Sequence, residues 1–122
     1  MFTVSKRFTF SAAHRLEKVP EGHPCSKIHG HNYSVEVILQ SVERNEMDMV
    51  VDYHEVTRVV KPIMEKFDHS DLNQWWNNPT AENIAVTIFD IVAYQLPQVV
   101  AVRVSETENT WAEYRGGKNA GE

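Results

Sequence analysis

The sequence has 122 residues, 42% of them hydrophobic, and a formal net charge of −5. That length predicts one domain, over residues 1–116 with a disordered tail over 117–122, and enough apolar content for a core. Acidity without a run of Lys or Arg argues against nucleic acid as a partner, and no apolar stretch approaches the roughly 20 residues that span a membrane.

Residues 2–13 alternate. Phe8, Phe10 and Ala12 share a face with His14, which predicts a strand whose aromatic face ends at a histidine. Residues 17–28 carry two prolines and a glycine and read as a loop. The lone cysteine, Cys25, sits in that loop. An internal disulfide is excluded, and a reducing compartment fits a free thiol. The N-terminal stretch lacks a signal peptide's apolar run, so the expected location is the cytoplasm.

Residues 29–43 read as a second strand, with His29, His31, Tyr33, Val35, Val37 and Leu39 on one face. Antiparallel pairing of the two strands brings His14 to His29 and His31. Gly30 between that pair reads as room for close approach. Asp52 opens a helix, with Glu55 placed to complete a capping box. Val56, Val59, Val60, Ile63, Met64 and Phe67 form its apolar stripe, and Pro62 inside the stripe predicts a kink. Residues 68–79 are polar and turn-rich. Thr80 caps a second helix with Glu82 in its first turn, and Ile84, Ile88, Ile91 and Val92 form the inner face. Strands follow over 98–106 and 111–115, joined by a hairpin turn at Thr107–Thr110. The fold class is α+β: four antiparallel strands with two helices on one face. Four strands leave two edges, which other copies of the chain can pair.

Three neutral imidazoles, His14, His29 and His31, suit zinc and leave a fourth position open for substrate or water. An HxH pair alone is a weak signal, and the third histidine strengthens it. Cys25 admits two readings: an inert small apolar filler, or a reactive thiol beside Lys27 and a metal, since a cation favours thiolate. Asp68 and His69 admit a carboxylate-oriented imidazole, but the residues alone favour a histidine placed at a helix C-terminus. Glu106, before the hairpin, is either a solvated acid or an acceptor of two parallel hydrogen bonds from an N–H/NH2 edge. Glu82 reads as a helix N-terminal acid rather than a ligand contact. His23 and His54 read as structural or exposed, and Trp75 and Trp76 as packing or interface residues.

The chain resembles the 6-pyruvoyltetrahydropterin synthase / 6-carboxytetrahydropterin synthase family. The stretches that carry the resemblance are FTFSAAHRL (8–16), PEGHPCSKIHGHNY (20–33), MVVDY (49–53), FDHSDLN (67–73), NPTAENIA (78–85) and the strand around Ser105-Glu106-Thr107. The three residues between Cys25 and His29 look like the bacterial carboxy-forming type of the 7-deazaguanine (queuosine) pathway.

The resemblance implies zinc on His14, His29 and His31, a catalytic thiol at Cys25 and a second catalytic pair at Asp68 and His69. It also implies a pterin anchor at Glu106, with further pterin contacts at Thr80 and Glu82. The implied fold is the tunnelling fold, ββααββ, in which trimers close a barrel and two trimers stack as a homohexamer, with active sites between subunits. The implied reaction converts 7,8-dihydroneopterin triphosphate to 6-carboxy-5,6,7,8-tetrahydropterin, acetaldehyde and triphosphate. The 6-pyruvoyl product is the nearest alternative, and a zinc- and pterin-binding protein without turnover is another. The thiol and the Asp68–His69 pair speak against the latter. A zinc hydrolase would need a carboxylate beside the metal, and no HExxH-type motif is present.

Overall fold

The computed structural model describes residues 1–117, so positions 118–122 of the expected tail lie outside the described residues. Two long strands open the chain, β1 (Phe2–His14) and β2 (His29–Ser41). Helix α1 (Tyr53–Phe67), a short strand β3 (Ser70–Asp71) and helix α2 (Ala81–Gln95) follow. Strands β4 (Val99–Thr107) and β5 (Thr110–Tyr114) end the fold as a hairpin, paired from Thr107 to Thr110.

The sheet has five strands in the order β3-β1-β2-β4-β5. The expected four-stranded antiparallel sheet is therefore corrected to a mixed one, because β3 pairs parallel to β1 at Ala12 and Ala13. A two-residue strand has no periodicity for a sequence to show. The other pairs are antiparallel. In the β1–β2 register His14 faces His29 and Ala12 faces His31. The alternating pattern thus places all three imidazoles at one end of one sheet face.

That face is the core. Tyr33, Val35, Val37, Leu39, Val102 and Val104 are fully buried beneath the helices. The α1 stripe of Val56, Val59, Val60, Ile63, Met64 and Phe67 is buried as its spacing predicts. On α2, Ile84, Ile88 and Val92 are buried, but Ile91 is 41% exposed and does not belong to the inner face. The opposite sheet face carries a cross-strand row of alternating charge. Arg7 faces Glu36, Glu36 faces Arg103, and Arg103 faces Glu113.

Local signals mostly hold. Asp52 caps α1 by accepting from His54 N at 2.9 Å, and Thr80 caps α2 by accepting from Asn83 N at 3.1 Å. Glu55 does not close the expected capping box; its carboxylate pairs with Arg58, one turn along the exposed face. Helix α1 runs through Pro62 to Phe67 without a break. A Cβ at Gly30 would lie 3.7 Å from the Ala12 carbonyl, ordinary contact, so no neighbour demands glycine there. No helix among the described residues is long and apolar enough to cross a membrane.

Candidate active site

The three histidines converge. One nitrogen from each of His14, His29 and His31 lies within 4.8 Å of the others. The rings pack edge to face, with centroids 4.6 to 5.0 Å apart. Fully buried Tyr33 closes the floor, stacked flat on Phe10 at 4.8 Å.

Hydrogen bonds fix the tautomers. His14 Nδ1 donates to the Pro79 carbonyl at 2.8 Å, and His29 Nδ1 donates to the Lys27 carbonyl at 2.8 Å. A carbonyl only accepts, so each Nδ1 carries a proton, and in the neutral ring each Nε2 turns its lone pair into the cluster. Those two Nε2 atoms are 3.0 Å apart. His31 Nε2 is buried without a hydrogen-bond partner. Nitrogens gathered in this way suit a cation between them. Tetrahedral zinc, with bonds of about 2.0–2.1 Å, wants its nitrogens roughly 3.3 Å apart, within the range seen here. Burial holds His31 below its usual pKa; Glu106 opposes that, while His14 and His29 add to it. The donor set therefore fits a divalent metal, and the carbonyls of Pro79 and Lys27 orient two of the three imidazoles.

Beside the cluster lies a cavity of about 350 Å³ lined by Leu16, Thr80, Glu82, Glu106, Thr110 and Trp111, among others. It brings together the three residues expected to touch a ring: Glu106 from the end of β4, and Thr80 and Glu82 from the start of α2. Glu106 also reaches the imidazoles, with its Oε2 3.7 Å from His31 Nε2.

Cys25 is half-buried in a 3-10 turn, Pro24–Ser26, within the β1–β2 loop. His23 Nδ1 accepts from Cys25 N at 3.1 Å, so His23 shapes that turn. The Cys25 carbonyl accepts from Leu16 N at 2.8 Å, and Leu16 walls the cavity.

Asp68 and His69 are set apart from that cavity. His69 Nδ1 lies 2.9 Å from Asp68 Oδ2. The pair is pinned to β1: Asp68 Oδ1 accepts from Ser11 N at 2.8 Å, and His69 N donates to Ser11 O at 2.6 Å. His69 takes φ 58, a left-handed conformation that a non-glycine residue keeps only when its surroundings hold it. The bond from Ser11, and then that with His69, holds the Asp68 carboxyl below its usual pKa. His69 is 85% exposed, beside an open depression of about 560 Å³ that it shares with Ser11, His31, Asn32 and Asp71.

Residues 3–117 match the family described as 6-pyruvoyl tetrahydropterin synthase. The chain belongs to that family. It is one of the family's enzymes.

A protein of Archaeoglobus fulgidus, provisionally named 6-carboxy-5,6,7,8-tetrahydropterin synthase, is 43% identical over 107 residues, covering 88% of this chain and 90% of its own. A Pyrococcus furiosus protein named dihydroneopterin monophosphate aldolase is 33% identical, covering 80% of each chain. The solved 6-pyruvoyl tetrahydropterin synthase of Caenorhabditis elegans superposes with a TM-score of 0.85 at 25% identity, over 95% of this chain and 96% of its own. The expected tunnelling fold agrees with that likeness.

Several residues that build the site carry no side-chain signature in the sequence. Pro79 and Lys27 act through backbone carbonyls. Asn73 and Asn78 hold the segment after His14, with Asn73 Oδ1 accepting from Arg15 N and Asn78 Oδ1 from Glu17 N. Their place in a polar turn and in two of the stretches that carry the family resemblance gave no sign of this role.

Proposed function

We propose that the chain is a zinc-dependent carbon–carbon lyase of queuosine-type 7-deazaguanine biosynthesis. It converts 7,8-dihydroneopterin triphosphate and water to 6-carboxy-5,6,7,8-tetrahydropterin, acetaldehyde and triphosphate. The observation that carries this reading is the junction of three converging imidazoles with the Glu106 cavity.

His14, His29 and His31 would hold the zinc through Nε2, where it supplies Lewis acidity to the substrate's side-chain hydroxyl oxygens. Glu106 accepts two parallel N–H bonds from the pterin ring edge and so aims the side chain at the imidazoles. Thr80 and Glu82, at the mouth of α2, bound the ring. The Cys25 thiolate takes a proton from the side-chain carbon as general base. His69, oriented by Asp68, moves protons on the opposite side.

His69 lines a different depression from the Glu106 cavity, which favours supply of that pair by another copy of the chain. Two open strand edges support such assembly. Among the described residues, Phe2–Phe10 of β1 have a strand neighbour only on the β2 side, and β5 ends the sheet. A homohexamer built of closed trimers accounts for both edges. The cytoplasm suits a lone reduced cysteine.

The Pyrococcus likeness favours a second reading, an aldolase-type cleavage of a dihydroneopterin phosphate, on the strength of 33% identity across most of the chain. The decisive experiment compares wild type with Cys25→Ala, both zinc-loaded, on 7,8-dihydroneopterin triphosphate. Turnover by wild type, and its loss in a variant that keeps its zinc, is the expected result. Equal turnover by both would remove Cys25 as the base.

A further inference from the structure

We propose that Asn73 and Asn78 are positioning residues that clasp Arg15–Lys18 and so hold in place the turn that carries Cys25.

The segment between His14 and His29 must hold a reactive thiol in register with a ligand site, yet it has little regular structure. Its two limbs are joined by one backbone bond, Leu16 N to Cys25 O at 2.8 Å. The limb after His14 is fixed from outside. Asn73 clamps Arg15 from both sides: its Oδ1 accepts from Arg15 N at 2.8 Å, and its Nδ2 donates to Arg15 O at 3.0 Å. This is the pairing one strand residue offers another, made here by a side chain. Asn78 Oδ1 accepts from both Glu17 N at 2.9 Å and Lys18 N at 3.3 Å.

Both clasps are anchored in turn. Asn73 N donates to Asp71 Oδ1 at 3.0 Å. The Asn78 carbonyl accepts from Asn83 Nδ2 at 2.7 Å and Thr80 N at 2.8 Å, which ties it to the first turn of α2. The carbonyl of the next residue, Pro79, accepts the hydrogen bond from His14 Nδ1. Thus one short polar turn orients His14, holds the strut that carries the Cys25 loop, and starts the helix that presents Thr80 and Glu82. Leu16, between the clasped residues, lines the Glu106 cavity. The clasp is the shared support of metal ligand, thiol and ring pocket.

The two asparagines use their amides differently, and this gives the test. Asn78 uses its oxygen alone toward the strut, so Asn78→Asp keeps both bonds. Asn73 uses oxygen and nitrogen, so Asn73→Asp loses the donor and sets a carboxylate against the Arg15 carbonyl.

The inference rests on the lyase reading for its kinetic arm only. The other readout is the rate of Cys25 alkylation by iodoacetamide in the zinc-loaded protein, with zinc content and folding checked by metal analysis and circular dichroism. Asn78→Ala and Asn73→Asp are expected to shift the alkylation rate several-fold and lower kcat about tenfold, a factor that loss of one or two hydrogen bonds supplies. KM changes less, because Glu106 is untouched. Asn78→Asp is expected to restore both values most of the way to wild type.

If Asn78→Ala fails to fold, the pair of Asp variants decides the matter alone. Equal behaviour of the two, or greater damage from Asn78→Asp, overturns the clasp. Wild-type alkylation and kcat in Asn73→Asp also overturn it. Altered alkylation in Asn73→Asp, restored in Asn78→Asp, with no turnover by wild type, upholds the clasp and removes the lyase reading.

Discussion

His31 Nε2 stands 3.7 Å from Glu106 Oε2, joining the imidazole cluster to the cavity beyond it. On the proposed reading, a ring anchored on Glu106 has its substituent directed at the three imidazoles. Glu106→Gln keeps the shape but turns one acceptor into a donor facing a donor edge. Hydrogen bonds to a charged group contribute about 1.5–3 kcal/mol, so kcat/KM is expected to fall ~10- to 150-fold. Zinc content stays at the wild-type value. Steady-state kinetics beside metal analysis checks both, and unchanged kcat/KM would place the ring elsewhere.

Zinc held by His14, His29 and His31, as proposed, would make stability depend on the metal. Binding to the folded chain alone adds about 2.7 kcal/mol when free zinc is 100 times its Kd. Thermal melts with zinc and with a chelator are expected to differ accordingly. His31→Ala abolishes most of that difference. His54→Ala, whose side chain is 97% exposed on α1, leaves it intact. A zinc-dependent shift surviving in His31→Ala would contradict the three-ligand site.

Cys25 makes no ligand contact in the imidazole cluster of His14, His29 and His31. Cys25→Ala is therefore expected to keep its zinc while kcat falls by about 10²–10⁴, the usual range for a lost general base. Loss of zinc in step with activity would make the thiol a ligand instead.

Tyr33 gives a stability test of opposite sign. Its hydroxyl is buried without a partner, and burial, with Glu106 adding, pushes its pKa far up. The ring is held by Phe10 at 4.8 Å, a contact Phe reproduces. Tyr33→Phe removes an unsatisfied polar atom at little cost in shape. It is expected to leave the metal-free protein as stable or more stable by about 1 kcal/mol in chemical denaturation. A loss of that size would reveal a partner for the hydroxyl.

Asp68 sets an acid limb. Its folded-state pKa lies below the usual 3.8, owing first to Ser11 N–H and then to His69. The carboxylate's stabilising contribution is present above that usual value and is lost as pH falls through the lower folded value. Asp68→Asn is expected to be less stable than wild type at neutral pH, with the gap closing below about pH 4. A constant gap across that range would remove the linkage.

The sequence showed the histidine cluster because a period of two is strict. Once β1 and β2 pair antiparallel, the alternation of Phe10, Ala12 and His14 and of His29, His31 and Tyr33 leaves the imidazoles on one face. The same period hid β3, whose two residues are too few to alternate. Ile91 lies at the margin of a helical stripe, where a small rotation decides burial, and it turned outward. Glu55 had two partners within reach and took Arg58. The clasp was illegible for another reason: Asn73 and Asn78 act on backbone atoms of residues far along the chain, and Asn in a turn signals only the turn.

The most direct test is mass spectrometry of the products formed by zinc-loaded protein from 7,8-dihydroneopterin triphosphate. 6-Carboxy-5,6,7,8-tetrahydropterin with equimolar acetaldehyde and triphosphate is the expected result. A 6-pyruvoyl product, an aldol cleavage product, or unchanged substrate with zinc bound and Cys25 reduced would contradict it.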